Sequence, residues 1–215
     1  MDKNTTKLVI SRHSESEWNL TGQWTGFTDV NLTPKGHADA QVIGRMLAGY
    51  RFENGYVSLL KRAQQTMFSI LGENNSTNAP EITFAGEINE RDYGDLTGKN
   101  KWEVKEEIGE EAFNGIRRGW DYPVPGGETL KDVSSRVVPY FENEMLPKLK
   151  QGQNILMAAH GNSIRALMKY LDNVADEDVA KVEMGFGQVL VYEFNNDGEI
   201  ISREVLQAEV EPTHA

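Results

Sequence analysis

The sequence predicts a single α/β domain with a mostly parallel central sheet flanked by helices. Three observations predict it. Short apolar, β-branched runs alternate with stretches whose apolar residues recur at helical spacing, the pattern of parallel strands joined by helical crossovers. The 215 residues, 39% hydrophobic and 26% charged, suit one ordinary domain with a real core. The one Pro/Gly-rich stretch, Trp120–Glu128, is too short for a linker, and no repeat or low-complexity tract divides the chain, so residues 1–215 are read as one domain.

Each element has a local reason. Lys7–Ser11 is apolar and β-branched, ends at a polar break, and is predicted as a buried strand. Thr33 is a good N-cap, Pro34 suits the first helical position, and Val42, Ile43, Met46 and Leu47 define the apolar stripe of the helix that follows. Leu60–Leu71 carries Ala63, Met67, Ile70 and Leu71 on one face, with Gly72 as its expected stop. Glu81–Phe84 is a further strand. A helix is expected from Glu128 to about Leu146, with Val133, Val137, Phe141 and Met145 on one stripe and a kink at Pro139. Asn154–Ala159 is the clearest buried strand, leading through His160-Gly161-Asn162 into a helix over Ser163–Leu171. Gln188–Phe194 and Glu199–Val205 form a hairpin about the Asn-Asn-Asp-Gly turn at 195–198. Residues 207–215 are expected to be a flexible tail.

Composition narrows function. There is no cysteine, which excludes disulfides, thiol nucleophiles and cysteine-ligated metals. The four histidines, at 13, 37, 160 and 214, show no metal-binding spacing, and no metal is expected. A formal charge of −11 opposes nucleic acid and anionic membranes as partners, so any anion site must be a local exception. The longest apolar run is five residues, 155–159, far below the roughly 20 of a membrane span. With a polar N-terminus and no signal-like stretch, a cytoplasmic protein is expected.

Two histidines share a setting. His13 follows the first strand beside Arg12, and His160 follows the strand 154–159 and heads a helix. Both are expected at one edge of the parallel sheet, where helix N-termini and backbone N–H groups favour anions. A neutral imidazole is a competent nucleophile, and a protonated one stabilises transferring charge. A lone histidine at a strand end is ordinarily just a polar residue bonded to backbone; two at equivalent ends, one beside an arginine, are a different matter. Arg62 opens a helix and Arg117-Arg118 sit in a predicted polar loop, offering forks that match phosphate or carboxylate. Glu90 is a candidate proton donor and acceptor. The segment Gly94–Asn100 has the wrong glycine spacing, and lacks the Ser or Thr, of a nucleotide-binding loop.

Six segments in order, SRHSESEWN (11–19), TGFTDVNLTPKG (25–36), LLKRAQQT (59–66), INERDYGDLTGKNK (88–101), RRG (117–119) and AAHGNSIRALMKYLDN (158–173), resemble the histidine phosphatase superfamily and specifically its cofactor-dependent phosphoglycerate mutases. The resemblance covers about residues 7–206 and implies a phosphoglycerate mutase-like domain. It implies that His13 becomes a phosphohistidine, that Arg12, Arg62 and His160 hold the transferring phosphoryl group, and that Glu90 moves the proton. Asn19, Thr25, Gly26, Tyr93, Lys101, Arg117, Arg118, Gly161 and Asn162 match substrate-binding positions. The implied reaction interconverts 3-phosphoglycerate and 2-phosphoglycerate, primed by 2,3-bisphosphoglycerate, in a homodimer. Cations at two ends suit a substrate with a phosphate at one end and a carboxylate at the other, and Trp24, Phe27 and Trp102 are candidates for excluding water.

The sequence departs from that pattern in four places. Ser14 stands where glycine follows the Arg-His pair, the loop from Arg118 to Glu128 is short, Met184–Gln188 replaces a Thr-Gly segment, and the C-terminus is brief. The competing expectation is a histidine-type phosphatase acting on small phosphorylated metabolites. A non-catalytic phosphoprotein-binding module is disfavoured, because it would need the arginines but neither His13 nor Glu90.

Overall fold

In the computed structural model, which describes residues 5–76 and 78–211, six strands form one sheet in the order β3-β2-β4-β1-β5-β6. These are β1 (Thr5–Arg12), β2 (Asn54–Ser58), β3 (Glu81–Ala85), β4 (Ile155–Ala159), β5 (Gln188–Asn195) and β6 (Ile200–Gln207). The first four in spatial order pair in parallel, while β5 runs antiparallel to β1 and to β6. The expected mostly parallel sheet is therefore present, with an antiparallel hairpin at one side.

Period-two alternation sorts the side chains of β1. Leu8 and Ile10 enter a core with Tyr56 and Met157, whereas Val9 faces the opposite side with Val57 and Ala158. Helices α2 (Pro34–Met46) and α3 (Lys61–Glu73) cover the Val9 face through Ala40, Ile43, Met67 and Ile70. Helices α6 (Leu130–Tyr140), α7 (Leu146–Lys150) and α8 (Gly161–Leu171) cover the other face through Val133, Val137, Leu149, Ile164 and Leu167. A third, smaller core joins Trp24 and Leu96 to Val104, Phe113 and Ile116. The last three lie on α4 (Lys101–Ile108) and α5 (Glu110–Arg118).

The predicted N-cap is found where expected: Thr33 Oγ1 accepts from Gly36 N at 3.0 Å, with Pro34 in the first turn of α2. Several expectations need correction. Gly72 does not end its helix, which runs to Glu73 and is closed by Asn74, whose buried amide donates to the carbonyls of Leu47 and Tyr50. The helix expected to Leu146 is α6, a π-helical turn over Phe141–Met145, then α7. Pro139 lacks an N–H and crowds the preceding turn, so the ladder re-registers through a wider turn rather than merely bending. A strand that propensity conceals, β2, lies between β3 and β4, and a four-residue helix, α1 (Glu17–Leu20), follows the first strand. Arg117 and Arg118 lie not in a loop but in the last turn of α5. The start of the expected tail is packed: Gln207 ends β6, and buried Ala208 donates its N–H to Gly187 O at 2.9 Å. Residues 212–215, including His214, lie outside the described residues.

Candidate active site

Register builds the reactive centre. Arg12 pairs with Ala159, so the next residues, His13 and His160, leave neighbouring strands side by side, with His13 N donating to Ala159 O at 2.9 Å and the rings 5.0 Å apart. Both rings are buried. His13 Nδ1 lies 2.8 Å from Ser14 O. A carbonyl only accepts, so Nδ1 carries the hydrogen and the lone pair of neutral His13 is on Nε2. Ser14, in place of glycine, also donates its backbone N–H to Thr66 Oγ1 at 3.0 Å. His160 Nε2 is hydrogen-bonded to Ser58 Oγ at 2.6 Å.

Two guanidiniums flank this pair. Arg62, in the first turn of α3, is almost wholly buried and donates Nη1 to Thr28 O and Nη2 to Gly26 O, both at 2.9 Å. Gly26, at φ +53°, thus contributes by its carbonyl rather than by lining the cleft. Arg12 Nη1 donates to Met184 O at 3.3 Å. Arg12 Nε and Arg62 Nε are buried without a hydrogen-bond partner. Unsatisfied buried donors are costly, and an anion in the cleft is the chemistry that would satisfy them.

Glu90 is buried, and its Oε1 accepts from Arg91 N, Asn162 N and Asn162 Nδ2 at 2.7, 3.2 and 2.9 Å. Asn162 Nδ2 also donates to Tyr93 Oη at 2.9 Å. Gly161 lies between the acid and the arginine: a Cβ there would stand 3.8 Å from Glu90 Oε2 and 3.9 Å from Arg12 Cζ. Asn19 and Thr25 line the cleft from the other side; Asn19 Oδ1 accepts from Ser16 N and Oγ, fixing the start of α1. Lys101, Arg117 and Arg118 also line the cleft. Every candidate catalytic and substrate-binding residue is in the cleft wall except Gly26 and His160, which lie directly behind it; of the aromatics expected to exclude water, Trp24 lines the cleft, whereas Phe27 and Trp102 are exposed outside its wall.

Electrostatics follow from crowding. Burial, then Arg62 and Arg12, holds His13 well below its ordinary 6.5; burial, then Arg62, His13 and Arg12, does the same to His160. Burial lowers Arg62 to about 10, and burial with Arg117 and Arg12 lowers Lys101 to about 8. The cleft is a positive island in an acidic chain. Donor atoms of His13, Glu90 and His160 lie within 4.8 Å of one another, close enough to share a cation; the flanking guanidiniums favour an anion there instead.

Sequence reasoning missed four residues. Arg165 on α8 donates to the carbonyls of Val182, Arg117, Arg118 and Val179 and to Asn162 Oδ1, at 2.8–3.2 Å. Its spacing of three from Asn162, on one helix face, was the available signal. Glu183 pairs with Arg118 at 2.7 Å. Ser58 lay on the unseen β2. Gln23, beside Trp24 in the cleft wall, carried no signal.

The parallel sheet carries paired histidines and arginines at its carboxyl edge, a cluster whose chemistry suits an anion. The family model of the histidine phosphatase superfamily (branch 1) matches residues 8–206, and the chain belongs to that superfamily. Within it, the chain is 43% identical over 202 residues, 93% of its length and 98% of the relative's, to a 2,3-bisphosphoglycerate-dependent phosphoglycerate mutase of Mesorhizobium japonicum. It is 44% identical over 189 residues, 88% of each chain, to a protein of the same name from Cytophaga hutchinsonii. In fold it is similar to a putative α-ribazole-5′-P phosphatase of Escherichia coli (TM-score 0.79, 24% identity, 96% of this chain and 98% of that one). Bacillus stearothermophilus YhfR gives the same TM-score and identity over 98% of each chain.

Proposed function

We propose that the chain is a 2,3-bisphosphoglycerate-dependent phosphoglycerate mutase, a metal-independent cytoplasmic isomerase that interconverts 3-phosphoglycerate and 2-phosphoglycerate. The observation that carries the reading is the pair of orphaned buried guanidinium donors, Arg12 Nε and Arg62 Nε, around a histidine whose free lone pair is on Nε2. The identity to mutases over nearly the whole chain supports the substrate.

Bound 2,3-bisphosphoglycerate supplies the phosphoryl group that primes His13. His13 Nε2 forms the P–N bond as the P–O bond to the donor oxygen breaks, and Glu90 protonates that oxygen. In the return step a substrate hydroxyl attacks phosphorus, Glu90 takes its proton and the P–N bond breaks. Arg12, Arg62 and His160 hold the phosphoryl oxygens throughout. Asn162, through its bonds to Glu90 and Tyr93, aims the acid. Lys101, Arg117 and Arg118 take the other anionic group, with Asn19, Thr25 and Gly161 shaping the space between; Gly26 secures Arg62. Holding both ends favours returning the intermediate to His13 over releasing it to water.

The test incubates purified protein with 3-phosphoglycerate, with and without trace 2,3-bisphosphoglycerate, and follows 2-phosphoglycerate and free phosphate together. Bisphosphate-dependent isomerisation with little phosphate is expected, insensitive to EDTA and abolished in His13→Ala. Phosphate release without isomerisation would make the protein a phosphatase.

The homodimer that the family resemblance implies has a matching face. Among the described residues β3 is an edge strand paired only to β2, and exposed Phe84 on it meets exposed Phe68 on α3, rings 6.5 Å apart. An edge of this kind accepts a second copy about a two-fold axis. Light scattering should give twice the chain mass, and Phe84→Asp a monomer.

A further inference from the structure

The two arginines of the phosphoryl site are held by different means. Arg62 is fixed by two short bonds to backbone carbonyls. Arg12 has one long bond, to Met184 O, and among the described residues no carboxylate pairs with it. What lies against its guanidinium is the ring of Phe186, with the centroid 4.0 Å from Cζ. We infer that Phe186 is a positioning residue for Arg12, its ring face holding the guanidinium plane so that its N–H groups point at the phosphoryl site. The inference rests on the proposed phosphohistidine chemistry.

The physical logic is one of competition. A carboxylate would hold Arg12 equally firmly but would take the N–H groups and the charge that the phosphoryl group needs. An aromatic face attracts the cation through its quadrupole and leaves every N–H free. Arg12 Nε is indeed buried and unpartnered. The ring sits on a firm base. Gly185 N donates to Gln188 Oε1 at 2.8 Å, and Gly187, at φ +74°, accepts Ala208 N–H through its carbonyl. A Cβ on Gly187 would meet Val210 Cγ2 at 2.4 Å. The turn is thus clamped between Arg12 and the chain after β6. It also belongs to Met184–Gln188, where the sequence departs from the pattern it resembles.

Phe186→Ala, Phe186→Leu and Phe186→Tyr test it, with orthovanadate as the probe because its five-coordinate adduct mimics in-line transfer. Affinity is read by titration, alongside isomerisation kcat, KM and Tm. Phe186→Ala should weaken vanadate about tenfold and lower kcat by a similar factor with little change in KM. Phe186→Leu keeps the bulk without the quadrupole and should resemble Phe186→Ala in vanadate affinity while keeping the wild-type Tm. Phe186→Tyr should restore both. Vanadate affinity in Phe186→Leu equal to wild type would reduce the ring to packing and overturn the inference, as would unchanged affinity in Phe186→Ala. Wild-type protein that binds vanadate but does not isomerise would refute the mutase reading alone. Wild-type protein that does not bind vanadate would overturn both.

Discussion

The two buried histidines make stability depend on pH with a sign and a size that can be worked out. His13 and His160 are held neutral by burial and by Arg12 and Arg62, both well below the ordinary 6.5. Between the lowered native value and 6.5 the unfolded chain binds protons that the native state refuses, so stability rises with pH and is lost as pH falls below 6.5. For a histidine still neutral in the native state at pH 5.5, the loss is about 1.4 kcal/mol, about 3 kcal/mol for the pair. That is a large share of the 5–15 kcal/mol typical of a domain. The other groups with shifted values lie outside this window. Lys101, lowered to about 8, is protonated in both states below 6.5, and the carboxylates of Asp132, Glu183 and Glu193 are lowered from values below 5. Urea unfolding, followed by tryptophan fluorescence at pH 7.5, 6.5 and 5.5, should show the loss. His160→Asn should lose about 1.4 kcal/mol less than wild type over the same range. Saturating vanadate should flatten the wild-type slope, because an anion beside the imidazoles offsets the charge that opposes protonation. Parallel slopes in wild type and His160→Asn would refute the reasoning.

Three further outcomes follow from the cleft. Lys101 at about 8 loses its charge above that pH, so kcat/KM for 3-phosphoglycerate should fall on an alkaline limb, and Lys101→Arg should move the limb upward; an unmoved limb assigns it to another group. Glu183 occupies Arg118 at 2.7 Å, and Glu183→Gln should lower KM about two- to fivefold, the scale of a solvent-exposed pair; a raised KM would mean the pair pre-orients Arg118. Arg165→Met strands four backbone carbonyls and Asn162 Oδ1, and should cost about 3–5 kcal/mol in urea unfolding while raising KM more than tenfold. Lost stability at constant KM would show that the clamp does not orient Arg117 and Arg118.

What the sequence made legible was what local chemistry decides. The runs at 7–11 and 154–159 are strands because β-branched and apolar side chains leave little choice, and Thr33-Pro34 caps a helix wherever it occurs. β2 was hidden because Asn54-Gly55-Tyr56-Val57-Ser58 has weak strand propensity; burial between two partners overrides it, and Ser58, which touches His160, was hidden with it. Arg117 and Arg118 read as loop because the glutamate-rich surface of α4 and α5 masks a sparse inner stripe. Only the third core, which Phe113 and Ile116 share with distant Trp24, makes those residues helical. The docking of Ala208 was illegible for the same reason, since its partner, Gly187, is a turn some 20 residues earlier.

The order of strands explains why the site draws on such scattered residues. β2, β4 and β1 are consecutive in the sheet and parallel. The segments leaving their carboxyl ends, Leu59 to Arg62, His160 to Asn162 and Arg12-His13, therefore emerge in a row. β5 runs the other way beside β1, with Ser11 opposite Val189, so its amino end is what reaches that same edge. The chain entering β5, not the chain leaving it, borders the reactive centre. This reversal brings Glu183, Met184 and Phe186 against Arg12 and Arg118, although they stand some 170 residues from the one and 65 from the other. Substitutions in the entering turn should alter phosphoryl chemistry, whereas equal changes in the hairpin 195–198, at the opposite end of β5, should leave it untouched.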